Sequence, residues 1–599
     1  MDSFFAPRRR AGRLALAAGL GALLASSATG WAKPPVSSDD PAETFGVQGP
    51  TSHKAVKAVR PTPAERMGVT LGNLPEVRLP ALDNGALLKE DALAERGARV
   101  KALRFGVGRG VQVSARDGNW YDVAGGARLW AAEIASTDAL GLRLHFKNVQ
   151  LPDGAELAVY ATDASGVAKS GYSRFDPDRQ VEFHDASAAA GNEFWTGSFF
   201  GDRVRIEYLV PASAASAELP FAVDSLQHYY LDPVAKVARS LVGEKAAGSC
   251  ENDVTCYPEW ADVARAVAGI DFVDGGGSFF CSGQLLTDNA QDFTPYFLTA
   301  NHCISKPAPA ASAEFFWFYQ TSACNGNPPS VQSVPRSNGA ALLSTNTVSD
   351  YTLLMVQGAL PDNVFWAGWT GKAVPDGTDA VAIHHPAGDY KRISFGFKEN
   401  NAACYDFQGT RGLQLVRTTW TDGVTEGGSS GSGIFRADTQ QLYGQLFFGP
   451  SSCRAADADL FDCYGSFATT YTKIKKFLTA GSDDNSEQND SCAKAKVVKN
   501  GKLTNRIVKV TDTDWYKISV PAHKTVTVTL NFSNGNGDID LAGFGDCSGG
   551  DPATSSTGTD DSEAISLTNQ GSKAAFAYWQ VYLGSSTRNT YSMSVSVHN

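Results

Sequence analysis

Leu298-Thr299-Ala300-Asn301-His302-Cys303, Ser349-Asp350-Tyr351-Thr352-Leu353-Leu354 and Gly428-Ser429-Ser430-Gly431-Ser432-Gly433 decide how this chain is read. A histidine follows a small apolar run, an aspartate opens an apolar strand, and a serine sits in a glycine-flanked turn. A serine hydroxyl is a weak nucleophile near neutral pH. It needs a base within hydrogen-bond reach, and the base needs an acid to hold its tautomer. Ser430, His302 and Asp350 supply one of each. The glycines let the backbone turn tightly and aim N–H groups inward, so the N–H groups of Gly428 and Ser430 form the candidate oxyanion hole. Plainer readings exist for each residue taken alone. GSSGSG is also a low-complexity loop, an Asp before a strand commonly forms a turn, and a lone His is more often structural. Ser429 and Ser432 compete with Ser430, but only Ser430 has the Gly-x-Ser-Gly frame.

The order of the three segments adds weight that none carries alone. His, then Asp, then Ser is the order of proteases of the chymotrypsin type; subtilisins and α/β-hydrolases place the same groups in other orders. The expected fold is therefore mainly β, with a chymotrypsin-like double β-barrel at its centre. His384-His385 precede Pro386 and suggest metal ligands at first sight. Adjacent side chains diverge and no carboxylate is suitably spaced, so both are read as structural. Neither a metal nor a cofactor is expected.

A chain of 599 residues exceeds what a single core serves, and several domains are expected. Its formal net charge of −11 argues against a nucleic-acid partner. Arg8-Arg9-Arg10 and Arg13 precede the short apolar stretch 14–24 and a run of small residues, the pattern of an export signal over residues 1–32. No later segment is apolar for long enough to be a membrane helix. The mature protein is expected to be secreted, soluble and monomeric. All 10 cysteines lie beyond residue 249, and their even number in an exported chain favours disulfides over thiols or a metal.

Residues 33–75 are rich in Pro, Ala, Ser and charge and read as a loose leader. From about Val100 to Leu231, short alternating runs such as Leu142–Phe146, Leu157–Tyr160 and Val204–Tyr208 suggest a β-sandwich. A charged connector ends in Gly243-Glu244-Lys245. Residues 246–480 carry the three segments and close with helical spacing at Ile474, Phe477 and Leu478. Residues 481–491 form a polar linker, and strictly alternating runs at 525–530 and 591–597 make 492–599 a last β unit.

With those residues in hand, the chain resembles the bacterial lysyl endopeptidases, secreted trypsin-fold proteases that cleave after lysine. The stretches that carry the resemblance are GSCENDVTC at 248–256, YFLTANHC at 296–303, SDYTLL at 349–354, FWAGW at 365–369 and AIHHP at 382–386, with Lys391-Arg392-Ile393-Ser394, GVTEGGSSGS at 423–432 and GQLFFGPSSC at 444–453. The resemblance implies disulfides Cys250–Cys453, Cys256–Cys324 and Cys281–Cys303. It leaves Cys404 and Cys463 in this domain, and Cys492 and Cys547 in the last, with their pairing open. It places the specificity acid at Asp462; six residues before Ser430, where trypsins carry theirs, stands Val424. It implies protein and peptide substrates, a propeptide over 33–245 that partners its own enzyme, and cleavage between Lys245 and Ala246. Two departures stand out: Phe447 occupies a position where relatives often have His, and no Trp appears in 403–407. Residues 492–599 resemble the bacterial pre-peptidase C-terminal domain, some of whose members bind calcium; Asp538 and Asp540 are the matching acids. Two alternatives are a broader Lys/Arg protease and an exported binding protein with a dead protease fold.

Overall fold

The alternating runs around Leu142, Leu157 and Val204 fold as strands Gly141–Lys147, Glu156–Ala161 and Arg203–Val210. Each turns one set of side chains into a shared core of Trp130, Ile134, Leu144, Val159 and Ile206. The computed structural model describes residues 42–49, 61–95, 102–162, 181–185, 193–231, 247–400, 404, 412–478, 489 and 491–598, apart from short breaks within them. The leader 1–32, the Lys245–Ala246 bond and most of the linker lie outside the described residues.

Two sheets make an N-terminal sandwich. One runs through Glu76–Leu79, Arg128–Ser136, Arg203–Val210, Glu156–Ala161 and Val181–Asp185. The other contains Gly141–Lys147, Ala222–Tyr229 and Leu103–Val113, and it does not stop at the sandwich. Strand Leu103–Val113 pairs antiparallel with Gly277–Leu286 of the next unit, Gly277 opposite Val107 and Phe280 opposite Leu103. One continuous sheet thus joins two units, and edge N–H and C=O groups that would otherwise face water are paired.

The central unit is a double barrel. Strands Val267–Asp274, Gly277–Leu286, Tyr296–Ala300, Glu314–Trp317, Ala340–Asn346 and Tyr351–Val356 build the first barrel. Asp379–His384, Arg392–Glu399, Leu415–Asp422, Gly433–Arg436, Leu442–Phe448 and Phe461–Ser466 build the second. Helix Phe467–Leu478 then packs Phe467, Ile474 and Leu478 into the core with Trp369 and Leu442. Residues 496–598 form a separate two-sheet sandwich around Trp579, Val528 and Leu541.

Residues 33–75 are not uniformly loose. Glu43–Thr44 pairs with Trp369–Thr370 and Val47–Gln48 with Phe365–Trp366, both antiparallel. Pro63–Met67 is a short helix with a Thr62–Glu65 capping box. The composition misleads because these strands owe their existence to a remote edge and not to their own propensity.

The N-terminal sandwich also meets the first barrel through buried charge. Arg143 lies 3.4 Å from Asp271 and donates to the Ser312 carbonyl at 2.7 Å. Tyr229 donates to Asp271 at 2.7 Å, and Ser198 to Glu314 at 2.6 Å. Arg336 bridges Glu314 at 2.8 Å and the Ser198 carbonyl at 3.0 Å. Burial pushes the Asp271 carboxyl up to about 6; Arg143 opposes the rise and Glu314 adds to it. A carboxyl whose folded value lies above its unfolded one holds its proton more tightly in the fold. Its contribution to stability is complete below the ordinary carboxylate range and is lost as pH rises through about 6. Wild type should therefore lose stability relative to Asp271→Asn between pH 4.5 and 7, by on the order of 1–3 kcal/mol. Urea unfolding of both proteins at several pH values measures this, and a pH-independent difference would show that Asp271 does not titrate in that window.

Candidate active site

Pairing of Tyr296–Ala300 with Tyr351–Val356 sets Ala300 opposite Tyr351. The turn after one strand therefore lies beside the residue that opens the other, which brings His302 to Asp350. His302 Nδ1 is 2.7 Å from Asp350 Oδ2, and the His302 backbone N–H donates to Oδ1 at 3.0 Å. Both carboxylate oxygens are thus engaged by one residue, which fixes ring and carboxylate together. Asp350 has φ 49°, and Asn301 N–H donates to its carbonyl at 2.9 Å. Burial pushes the Asp350 carboxyl above its ordinary value, while the neighbouring imidazole draws it down. Cys281–Cys303 ties the residue after His302 to strand Gly277–Leu286. The ring of Phe447 packs on the imidazole, with centroids 5.6 Å apart.

Ser430 comes from the second barrel, in the turn ahead of strand Gly433–Arg436. Its Oγ lies 2.7 Å from His302 Nε2. Several bonds shape this turn. Ser282 N–H donates to the Ser430 carbonyl at 2.8 Å, and Ser282 Oγ donates to the Gly428 carbonyl at 2.9 Å. Gly431 has φ 81°, and a Cβ there would fall 2.2 Å from Thr299 Oγ1. Gly428 has φ 92°, and its Cβ would fall 2.8 Å from the His385 carbonyl. Ala387 N–H donates to the Gly427 carbonyl. In a trans peptide the two polar groups point apart, so the Gly428 N–H is turned away from Ala387. Among the described residues, neither the Gly428 nor the Ser430 N–H has a backbone acceptor.

His384 and His385 are wholly buried. His384 lies 2.8 Å from Ser429 Oγ and 3.1 Å from Ser394 Oγ, so it holds the residue next to Ser430. His385 lies 3.0 Å from the Asp389 carbonyl and stacks on Tyr319. Burial and the nearby Lys391 push the His385 imidazole down to about 3, which keeps it neutral.

Asp462 lies on strand Phe461–Ser466, fully buried. Its Oδ2 accepts from Trp420 Nε1 at 2.7 Å, Thr425 Oγ1 at 2.7 Å and Ser451 Oγ at 2.5 Å. Gly449 faces it: a Cβ there would fall 1.9 Å from Asp462 Oδ1. Sequence reasoning missed Ser282, Trp420, Thr425, Ser451 and Gly449. Of these, Thr425, Gly449 and Ser451 sit inside stretches already singled out, at 423–432 and 444–453. Val424 is buried in an apolar cluster with Trp420 and Tyr464.

The structure links Cys250–Cys453, Cys256–Cys324, Cys281–Cys303, Cys404–Cys463 and Cys492–Cys547. Cys404–Cys463 anchors the residue beside Asp462. In the C-terminal sandwich, Asp538 and Asp540 lie near each other at strand Ile539–Phe544. The Asp540 carboxyl is pushed up to about 6, by burial first and then by Asp538 and Glu563. Most of 403–407 lies outside the described residues.

A mainly β chain with a chymotrypsin-like double barrel and a Ser–His–Asp contact is a serine endopeptidase, acting on protein substrates. The family model for the lysyl endopeptidase C-terminal domain matches residues 244–465, and that for the lysyl endopeptidase N-terminal domain matches 78–230. The lysyl endopeptidase of Pseudomonas aeruginosa is 31% identical over 361 residues, covering 55% of this chain and 77% of that protein. The chain belongs to the lysyl endopeptidase family. Among solved structures, the protease Anisep from Arthrobacter nicotinovorans aligns at 16% identity over 38% of this chain and 98% of its own, with a TM-score of 0.28. The thermostable serine protease AL20 from an extremophilic microorganism aligns at 14% identity over 36% and 98%, with a TM-score of 0.25.

Gly449→Val should fill the space against Asp462 and leave the triad contacts alone. Its kcat/KM on peptide substrates is expected to fall by at least about 100-fold, roughly 3 kcal/mol. Labelling of Ser430 by a small organophosphorus reagent should stay close to the wild-type rate. Equal losses in both assays would mean that Gly449 supports the fold and not the space beside Asp462.

Proposed function

We propose that this chain is made as a precursor, exported behind the leader 1–32, and matures into a secreted protease that cleaves after lysine. The supporting observation is the unbroken chain Asp350–His302–Ser430, with both contacts at 2.7 Å. Neutral His302 carries its proton on Nδ1, donated to Asp350, and its Nε2 accepts from the Ser430 hydroxyl. Ser430 Oγ attacks the substrate carbonyl carbon, and its proton passes to Nε2. Asp350 stabilises the resulting imidazolium, while the Gly428 and Ser430 N–H groups take the carbonyl oxygen as it gains charge. Collapse breaks the C–N bond, and His302 returns the proton to the leaving amine. Water then attacks the acyl-enzyme along the same proton path and frees the carboxylate product.

Asp462 is the counter-charge for the substrate side chain. Its Oδ2 already accepts three hydrogen bonds, whereas a guanidinium fork engages both carboxylate oxygens at once. An ammonium, a compact point charge, has no such need. That favours Lys over Arg and argues against the broader Lys/Arg reading. Asp462→Asn is expected to cut kcat/KM on Lys substrates by on the order of 100-fold or more, through loss of roughly 3 kcal/mol. Matched Lys, Arg and Leu substrates test it. Wild-type activity that does not discriminate among them removes the role given to Asp462.

The N-terminal sandwich is the propeptide, docked by sheet continuity and the Arg143 cluster. A Lys-specific enzyme can cut its own chain between Lys245 and Ala246. Ser430→Ala should lose turnover by several orders of magnitude and accumulate as precursor, as should Lys245→Gln. N-terminal sequencing of the secreted protein decides the point. A start other than Ala246, or normal processing of Ser430→Ala, would exclude self-release there.

A further inference from the structure

The FWAGW stretch has no part in the chemistry above. Phe365–Trp366 and Trp369–Thr370 are two short strands in the segment that joins the barrels. This segment stitches the barrels together: Ala367 N–H donates to the Leu285 carbonyl at 2.9 Å, Trp369 Nε1 to Thr287 at 2.6 Å, and Leu442 N–H to Gly368 at 2.9 Å. Residues 42–49 lie along its outer edge. Gly371 N–H donates to the Ala42 carbonyl at 2.7 Å, Gln441 Nε2 to the Thr44 carbonyl at 3.1 Å, and Gly49 N–H to the Val364 carbonyl at 3.2 Å. Thr44 and Phe45 are buried.

The fit is shaped from both sides. A Cβ on Gly368 would fall 2.5 Å from Gly46 N and 2.6 Å from the Thr44 carbonyl, and a Cβ on Gly46 would fall 2.3 Å from the Phe365 ring. Side chains are absent where the two backbones press together. Among the described residues, the partners of this segment's strands all belong to the double barrel. The link to the N-terminal sandwich is residues 50–60, which contain Lys54 and Lys57.

We propose that the Phe365–Thr370 edge is a strand-acceptor site, and that residues 42–49 stay docked in it as a separate chain of the mature enzyme. This rests on the Lys-specific reading. Hydrolysis after Lys54 or Lys57, and after Lys245, adds one water per bond and leaves a carboxylate on the lysine and an amine on the next residue. The sandwich is thereby excised. The strap keeps its own main-chain bonds to the barrel, an extended peptide added to a sheet edge. Its ligand class is an extended peptide with a buried Thr-Phe pair followed by Gly.

The test is mass spectrometry of active enzyme secreted from the full chain, purified natively and then denatured. A peptide containing residues 42–49, near one per catalytic chain and ending at Lys54 or Lys57, is the expected result. Gly46→Val should abolish that peptide and lower the melting temperature by several degrees, with kcat within about twofold of wild type. If Gly46→Val is not secreted, Phe45→Ala replaces it, with the same loss expected. No stoichiometric peptide in wild type, or a variant that keeps both peptide and melting temperature, overturns the proposal. A retained peptide ending at a residue other than lysine supports the strap while removing the Lys-specific reading. Lysine termini elsewhere without the peptide do the reverse.

Discussion

His302 Nε2 and Ser430 Oγ meet at 2.7 Å across the boundary between two barrels. His302 and Asp350 belong to the first barrel, and Ser430 belongs to the second. Two side chains held by separate bodies keep their contact only if the bodies cannot slide. An error of about 1 Å at such a contact is costly, because attack needs near-ideal geometry. Much of the surrounding structure answers to this. Ser282 of the first barrel holds the Gly428 and Ser430 carbonyls of the second. Gln445 of the second reaches back to the Ser349 carbonyl beside Asp350 at 2.5 Å. Gly431 carries no side chain because Thr299 of the first barrel occupies that space. The seam is thus a set of short polar bonds across a backbone contact too close for a Cβ.

The same demand explains why the three side chains that meet were legible in the sequence and their supports were not. The three segments each carry their role locally: a residue type in a short backbone context. His302, Asp350 and Ser430 could be named from those contexts and their order. Ser282, Trp420 and Ser451 do their work through contacts with residues from 11 to 146 positions away. Nothing in their own neighbourhoods marks them. Gly449 differs, since a Gly-Pro step beside Ser451 is a visible irregularity, but the space it leaves is defined only by Asp462, 13 residues on. The strands at 43–48 are the extreme case. A Pro- and Ala-rich leader with mixed charge has weak strand propensity. It becomes ordered because Phe365–Thr370 presents an open edge, and propensity scales do not register an edge supplied from more than 300 residues away.

Docking of the N-terminal sandwich follows a different physical logic from the seam. Strand pairing gives it register, while Arg143, Asp271, Glu314 and Arg336 give it a buried ionic centre. Burying two carboxylates and two guanidinium groups is expensive, and their mutual attraction offsets that cost only while all remain together. An interface of this kind is tight when complete and weak when one partner is disturbed. The raised Asp271 carboxyl is the visible sign of the residual penalty: even beside Arg143, the charged form is held less well than it would be in water. Sheet continuity sets the register of the contact, and the ionic centre makes it sensitive to the loss of any one member.

The residue after Gly428 shows how far the second barrel goes to fix a single hydroxyl. Ser429 is buried, and its Oγ is shared by His384 and the Glu426 N–H, at 2.8 and 3.2 Å. Glu426 in turn accepts from Gly248 N–H at 2.9 Å and Cys453 N–H at 3.3 Å. Cys453 is bridged to Cys250. The turn that presents Ser430 is therefore fastened at its start to residues 248–250, the stretch just beyond the Lys245–Ala246 bond. Glu426 is half-buried, and two backbone donors satisfy its carboxylate. The fastening of the Ser430 turn thus runs through Gly248, Cys250 and Cys453, all within the stretch that carries the double barrel.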